Sequence, residues 1–287
     1  MSAALSRGPA ARRAFEVLAH ARRPLLFLDL DGTLAPIVDR PRRARMPPGT
    51  TVALQRLRAT GATVVLVSGR AVAGVRHVAR TRVDAILGDH GACLFAGGRM
   101  YRWLPASEAR FTRAADRLER LLQGMPGVRF QRKERSLAIH LRLPRRDGGR
   151  TARRIAALLR AEGLRVLFGH RILDAQLPGV NKGRAVLRWL RLHPAHDAVL
   201  YAGDDTTDED ALRALRGKAM RVAVGPRPRY AAFRTSSPRT LAAWLSRLAR
   251  EREGLRLDGR KGGKGGKGGN RQGRLGKHSP AAPRRRR

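Results

Sequence analysis

The sequence predicts an α/β protein, a parallel sheet flanked by helices, with a smaller α+β segment inserted into it. Three observations predict this. Short apolar runs at 25–28, 63–67 and 198–202 each stop at a polar turn, as strands buried on both faces do. A segment of helical period lies between the first two runs, and that strand–helix–strand spacing calls for a right-handed crossover and parallel pairing. From about residue 98 to 178 the order changes to helix, strands, helix, strands, which suits an inserted α+β unit of about 80 residues.

The first 23 residues hold a helix over 12–21, with Phe15, Val17 and Leu18 as its apolar positions. The run Leu25-Leu26-Phe27-Leu28 then ends in Asp29-Leu30-Asp31-Gly32-Thr33. Carboxylates at the C-terminal end of such a strand stand where open α/β sheets bind ligands. Two acids two residues apart in extended chain point the same way, about 6–7 Å apart. A divalent cation relieves their repulsion, and oxygen ligands favour magnesium. One carboxylate of such a pair can attack phosphorus while the other handles the proton. Gly32 allows a sharp turn, and Thr33 offers a hydroxyl beside it. The plain alternative is a polar turn after a strand.

Residues 38–49, rich in Pro and Arg, read as a loop. A helix over 50–60, with Val52, Ala53, Leu54 and Leu57 as apolar positions, stops at Gly61. The strand 63–67 delivers Ser68-Gly69-Arg70, where Ser68 suits a phosphate oxygen and Arg70 an anionic substrate, or the pair is simply a turn. A helix over 71–80 and a strand over 84–88 lead to Asp89-His90-Gly91, whose histidine reads as a turn residue or a ligand.

In the inserted unit, 98–103 reads as a hairpin arm and Ser107 as the cap of a helix to 123, with Phe111, Ala114, Leu118, Leu121 and Leu122 apolar. Strands are expected at 128–131 and 136–143. The second alternates, with Leu137, Ile139, Leu141 and Leu143 opposite Ser136, Ala138, His140 and Arg142. A helix over 149–161 and strands at 164–168 and 171–175, around a Gly169-His170 turn, complete the unit.

Residues 178–183 open a helix to 192. Lys182 at its start suits a phosphate, since free N–H groups and the helix dipole favour an anion there, though a solvated lysine is the commoner case. The strand 198–202 is followed by Gly203-Asp204-Asp205-Thr206-Thr207-Asp208-Glu209-Asp210, with a helix over 206–216. Acids here serve a metal or simply the start of that helix. A strand at 221–224 and a helix at 237–250 end the patterned region.

The 287 residues suffice for one large or two modest domains. The single cysteine, Cys93, excludes an intramolecular disulfide. No run approaches the length of a membrane span, and the N-terminus lacks an apolar signal region, so the expectation is a cytoplasmic protein with no membrane partner. The net charge of +39 favours polyanions and anionic substrates. Residues 254–287, with a Gly-Gly-Lys repeat and four terminal arginines, are expected to be disordered. That tail reads either as an electrostatic tether, through which nucleic acid becomes a possible partner, or as a biased extension without aromatic residues for base stacking.

Taken in order, Asp-x-Asp-Gly-Thr at 29–33, Ser68, Lys182 and Gly-Asp-Asp-x-x-Asp at 203–208 resemble the four motifs of the haloacid dehalogenase (HAD) superfamily of phosphatases. Within it the chain is similar to the trehalose-6-phosphate phosphatases through 29–37, Val67-Ser68-Gly69-Arg70, Gly88-Asp89-His90-Gly91 and 203–209. Lys133, Ser136, His140 and Arg142 resemble that family's cap pattern, with Leu141 at its tyrosine position, Gln131 at a glutamate position, and Asp174-Ala175-Gln176-Leu177 in place of Glu-x-x-Pro.

The resemblance implies a Rossmann-like core at 22–97 and 179–250, a cap at 98–178 and an N-terminal extension at 1–21. It implies an aspartyl-phosphate on Asp29, Asp31 as acid and then base, and Mg2+ on Asp29, the Asp31 backbone carbonyl and Asp204, with Asp208 a ligand or just behind. Ser68 and Lys182 would hold phosphate oxygens, beside the Thr33 hydroxyl. Arg70, Lys133, His140 and Asp174 would contact a small-molecule sugar phosphate, expected to be trehalose 6-phosphate. Rival expectations are a phosphatase for another sugar phosphate, of sucrose or glucosylglycerate, and a polyanion-binding protein.

Overall fold

The computed structural model describes residues 3–5, 8–103, 108–132, 136–142, 145–169 and 171–262. In chain order these form β1 (Ala3–Ala4), α1 (Pro9–His20), β2 (Pro24–Leu28), α2 (Pro48–Ala59), β3 (Thr63–Val67), α3 (Val72–Ala79), β4 (Ala85–Gly88), β5 (Cys93–Ala96) and β6 (Arg99–Arg102). There follow α4 (Glu108–Leu122), β7 (Val128–Arg132), β8 (Ser136–Leu141), α5 (Arg145–Ala161), β9 (Arg165–Gly169) and β10 (Ile172–Gln176). The chain then returns through α6 (Lys182–Leu192), β11 (Ala198–Gly203), α7 (Glu209–Ala214), β12 (Met220–Val224), β13 (Phe233–Thr235) and α8 (Pro238–Gly262).

The apolar runs pair as their composition requires. β2 lies between β3 and β11, parallel to both, and every residue of β2 is buried. The large sheet runs β1-β13-β12-β11-β2-β3-β4-β5-β6 and is parallel as far as β4. Its two faces are covered by different cores, Leu26, Leu28, Val64 and Leu66 on one side and Leu25, Phe27, Val65 and Val67 on the other. Alternation along a strand sends successive side chains to opposite faces, so a strand buried twice has to be apolar throughout.

Between β6 and α6 a second sheet, β7-β8-β10-β9, is antiparallel throughout and backed by α4 and α5. Both faces of β8 are covered. Leu137, Ile139 and Leu141 enter the core under the helices, and Ser136, which is fully buried, meets the large-sheet domain.

Four expectations change. The arm at 98–103 belongs to the large sheet, because β6 pairs antiparallel with β5, so the insertion begins after Trp103 rather than at 98. The last helix runs to Gly262 rather than ending near 250, so 254–262 is helical and not disordered. α8 packs along α2, and Arg252, Glu253 and Arg256 all reach α1 or α2. Val17, Val52 and Leu121, placed on apolar faces by their type, are exposed. The helix expected at 206–216 starts as a 3-10 turn, Thr206–Asp208, before α7. β1 and β13 carried no signal in so short a length. Ser107, Leu143, His170 and residues 263–287, for which the sequence set expectations, lie outside the described residues.

Candidate active site

The C-terminal ends of β2, β3 and β11 and the start of α6 meet at one point. Asp29 follows β2 directly and is buried, its N–H bound to the Ala202 carbonyl of β11. Lys182, also buried, donates to Asp29 Oδ1 at 2.7 Å and to Asp208 Oδ1 at 2.7 Å. Carboxylate oxygens of Asp29, Asp204 and Asp208 lie within 4.8 Å of one another.

Asp208 is saturated with donors. Its Oδ1 takes Lys182 and the Tyr201 hydroxyl at 2.6 Å, and its Oδ2 takes the N–H groups of Asp204 and Asp205, both at 3.1 Å. It therefore braces the turn and the lysine. Thr33, fully buried, donates to Asp204 Oδ1 at 3.2 Å. Gly32 sits at φ 81°, and a Cβ there would overlap the Asp204 carboxylate, so only glycine serves both the turn and the approach.

The titration of Asp29 and Asp204 reflects their crowding around one ammonium. Burial pushes Asp29 above the ordinary carboxylate range, Lys182 pulls it back, and Asp208 pushes it up again. Burial and then Asp29 and Asp208 push Asp204 up in the same way. For Lys182 burial opposes the charge, but Asp208 and Asp29 outweigh it and the pKa rises. The site holds more negative charge than its lysine neutralises, which is the condition that a hard cation relieves. The donor set fits magnesium.

The Arg70 guanidinium forks onto both oxygens of Asp31, at 2.6 Å each, and its Nη1 donates to the Pro41 carbonyl, so it holds Asp31. The buried Ser68 hydroxyl accepts the Arg70 N–H at 3.1 Å. On the cap, Asp174 is buried with Oδ1 3.5 Å from Nε2 of His90, and His140 Nε2 meets Gln131 Oε1 at 3.0 Å. Cross-strand register puts Asp174 and His140 on the face of the cap sheet that carries Ser136, toward the large-sheet domain. Lys133 lies outside the described residues. The cap meets the core again where Arg165 pairs with Asp210 and Thr206 Oγ1 donates to the Phe168 carbonyl.

Sequence reasoning missed Tyr201 and Asp89. The signal for Tyr201 was a lone hydroxyl in an otherwise apolar strand, which requires a buried partner. Asp89 was noted only as part of a motif, and Ser136 of β8 donates to its buried carboxylate.

A parallel sheet with an inserted cap is also the fold of a solved phosphatase of the HAD superfamily from Bacteroides thetaiotaomicron, with which the chain superposes at a TM-score of 0.58 and 18% identity. The model of the trehalose-phosphatase family matches residues 27–241, and the chain belongs to that family. An uncharacterized glycosyl hydrolase of Mycobacterium tuberculosis strain H37Rv is 36% identical over 250 residues, covering 79% of this chain and 18% of the relative. The trehalose-phosphate phosphatase of Mycobacterium leprae is 35% identical over 259 residues, covering 80% of this chain and 58% of the relative. The C-terminal domain of Candida albicans trehalose-6-phosphate phosphatase superposes with a TM-score of 0.77 at 23% identity, covering 87% of this chain and 98% of that one. The chain thus spans 18% and 58% of these two curated relatives.

Proposed function

We propose that this chain is a magnesium-dependent phosphatase that hydrolyses trehalose 6-phosphate to trehalose and phosphate. The observation that carries the chemistry is the buried Asp29, bonded through Oδ1 to Lys182 and set against Asp204 at the end of the central strand. Family membership supports the substrate.

Oδ2 of Asp29 attacks phosphorus and the bond from phosphorus to the sugar oxygen breaks. Asp31 gives that oxygen its proton. Asp31 then takes a proton from water, which attacks the phosphorus of the aspartyl-phosphate and returns Asp29 as a carboxylate. Arg70 aims Asp31. Lys182 and Ser68 hold phosphate oxygens, beside the buried Thr33 hydroxyl that steadies Asp204. Asp29, the Asp31 carbonyl and Asp204 would hold magnesium, with Asp208 behind them, and the ion supplies charge neutralisation at the phosphate. The cap face bearing Asp174 and His140, with Lys133, meets the sugar.

Asp29→Asn is expected to abolish magnesium-dependent phosphate release from trehalose 6-phosphate in a panel that includes sucrose and glucosylglycerate phosphates. Wild-type turnover in that variant sinks the nucleophile assignment. A higher kcat/KM for another panel member sinks the substrate.

A further inference from the structure

Asp89 and His90 are consecutive non-glycine residues in the left-handed region, at φ 48° and 56°. Each such residue costs about 1 kcal/mol or more, and persists only where its surroundings over-determine it. Here they do so from two sides. The Asp89 N–H donates to the Arg70 carbonyl at 2.7 Å and the His90 N–H to the Ser68 carbonyl at 2.9 Å. The His90 ring lies on Gly69, where a Cβ would overlap it. On the other side Ser136 of the cap donates to Asp89 Oδ1, with both residues fully buried, and Asp174 of the cap stands 3.5 Å from the His90 ring. Neither ring nitrogen of His90 has a hydrogen-bond partner among the described residues.

One strained dipeptide therefore touches the cap with its side chains and the Ser68-Gly69-Arg70 turn with its backbone. That turn carries the Ser68 hydroxyl and the fork that holds Asp31. We propose that Asp89 is a positioning residue that couples seating of the cap, through Ser136, to the geometry of the 68–70 turn. The inference rests on the phosphatase reading above. A disaccharide phosphate must be covered by the cap to react, whereas a small aryl phosphate need not be. The coupling therefore shows as a difference between substrates.

The test uses the full chain with magnesium and two substrates, trehalose 6-phosphate and p-nitrophenyl phosphate, together with amide hydrogen exchange. Ser136→Ala is expected to lower kcat for trehalose 6-phosphate about tenfold with KM little changed, to leave p-nitrophenyl phosphate within about twofold, and to speed exchange across 68–70. Asp89→Asn keeps the acceptor and tolerates the left-handed region, so it should retain the coupling. Asp89→Gly suits the backbone but loses the acceptor, and should behave as Ser136→Ala does. Equal losses on both substrates, unchanged exchange at 68–70, or an Asp89→Gly protein that matches wild type overturns the proposal. If the wild type releases phosphate from neither substrate, the phosphatase reading fails, and the exchange measurement still decides the coupling.

Discussion

Among the described residues the buried lysine and the buried arginine are held in opposite ways. Lys182 sits between two carboxylates, Asp29 and Asp208. Arg252 of α8 is equally buried, yet among the described residues no carboxylate is hydrogen-bonded to it. It donates to the carbonyls of Leu18, Ala19 and Ala21 at the end of α1, and to the carbonyl and hydroxyl of Thr60 after α2. Those are the negative ends of two helices, whose last carbonyls have no partner within the helix. Burial lowers the Arg252 pKa, while the two acids raise that of Lys182 against the same burial. Dipoles satisfy a cation without leaving a net charge of their own, and that suits a permanent clamp. Full charges leave a surplus, and that suits a site where a phosphate and a metal come and go.

The comparison breaks first, if it breaks, at the lysine. Lys182→Met leaves buried carboxylates uncompensated, so turnover should fall about 100- to 1,000-fold. The variant should also melt lower at neutral pH than at pH 5, as thermal denaturation followed by circular dichroism would show. Arg252→Leu tests the other side. Stranding five acceptors, four of them buried, should cost about 3 kcal/mol in denaturant unfolding, with kcat/KM of the folded enzyme unchanged. Loss of activity at full stability would undo the contrast.

Metal and pH sharpen it. Asp29 and Asp204 are raised above the unfolded value of 3.8. Above pH 3.8 the unfolded chain has released protons that the folded metal-free protein still holds, so stability falls as pH rises toward the folded pKa values, and below 3.8 the cost vanishes. The metal-free protein should therefore lose melting temperature from about pH 5 to 8. Magnesium at 100 times its Kd should restore about 2.7 kcal/mol, and more as pH rises. A flat profile would mean that the carboxylates are not strained by one another. The smallest effect is expected at Glu253→Gln, which breaks the half-exposed pair with Arg56 beside the clamp. Its melting temperature should stay within experimental scatter.

Much of the core was legible because its signals are local. β2, β3 and β11 are apolar runs that end in the residues they deliver, so reading the strand located Asp29, Ser68 and Asp204 at once. The cap boundary was not legible, since whether 99–102 joins the large sheet depends on pairing with 93–96 and not on its own composition. Nor was the end of α8. Glycine and lysine at 254–262 argued for a coil, yet α8 continues to Gly262, with Arg256 donating to the Ala59 carbonyl at the end of α2. Nothing local shows that Asp31 lies within reach of the Arg70 fork.

The chain's own order of residues decided which strands form, where each stops, and which acids, hydroxyl and lysine stand at their ends, because an apolar run and the turn that closes it are neighbours along the backbone. Only tertiary structure decided how those groups share charge. Lys182 meets Asp29 across 153 residues, and Arg252 meets Leu18 across 234. At such separations the partner of a buried charge is chosen by the packing of sheet and helices, which supplies whichever oxygen lies nearest once water has been excluded.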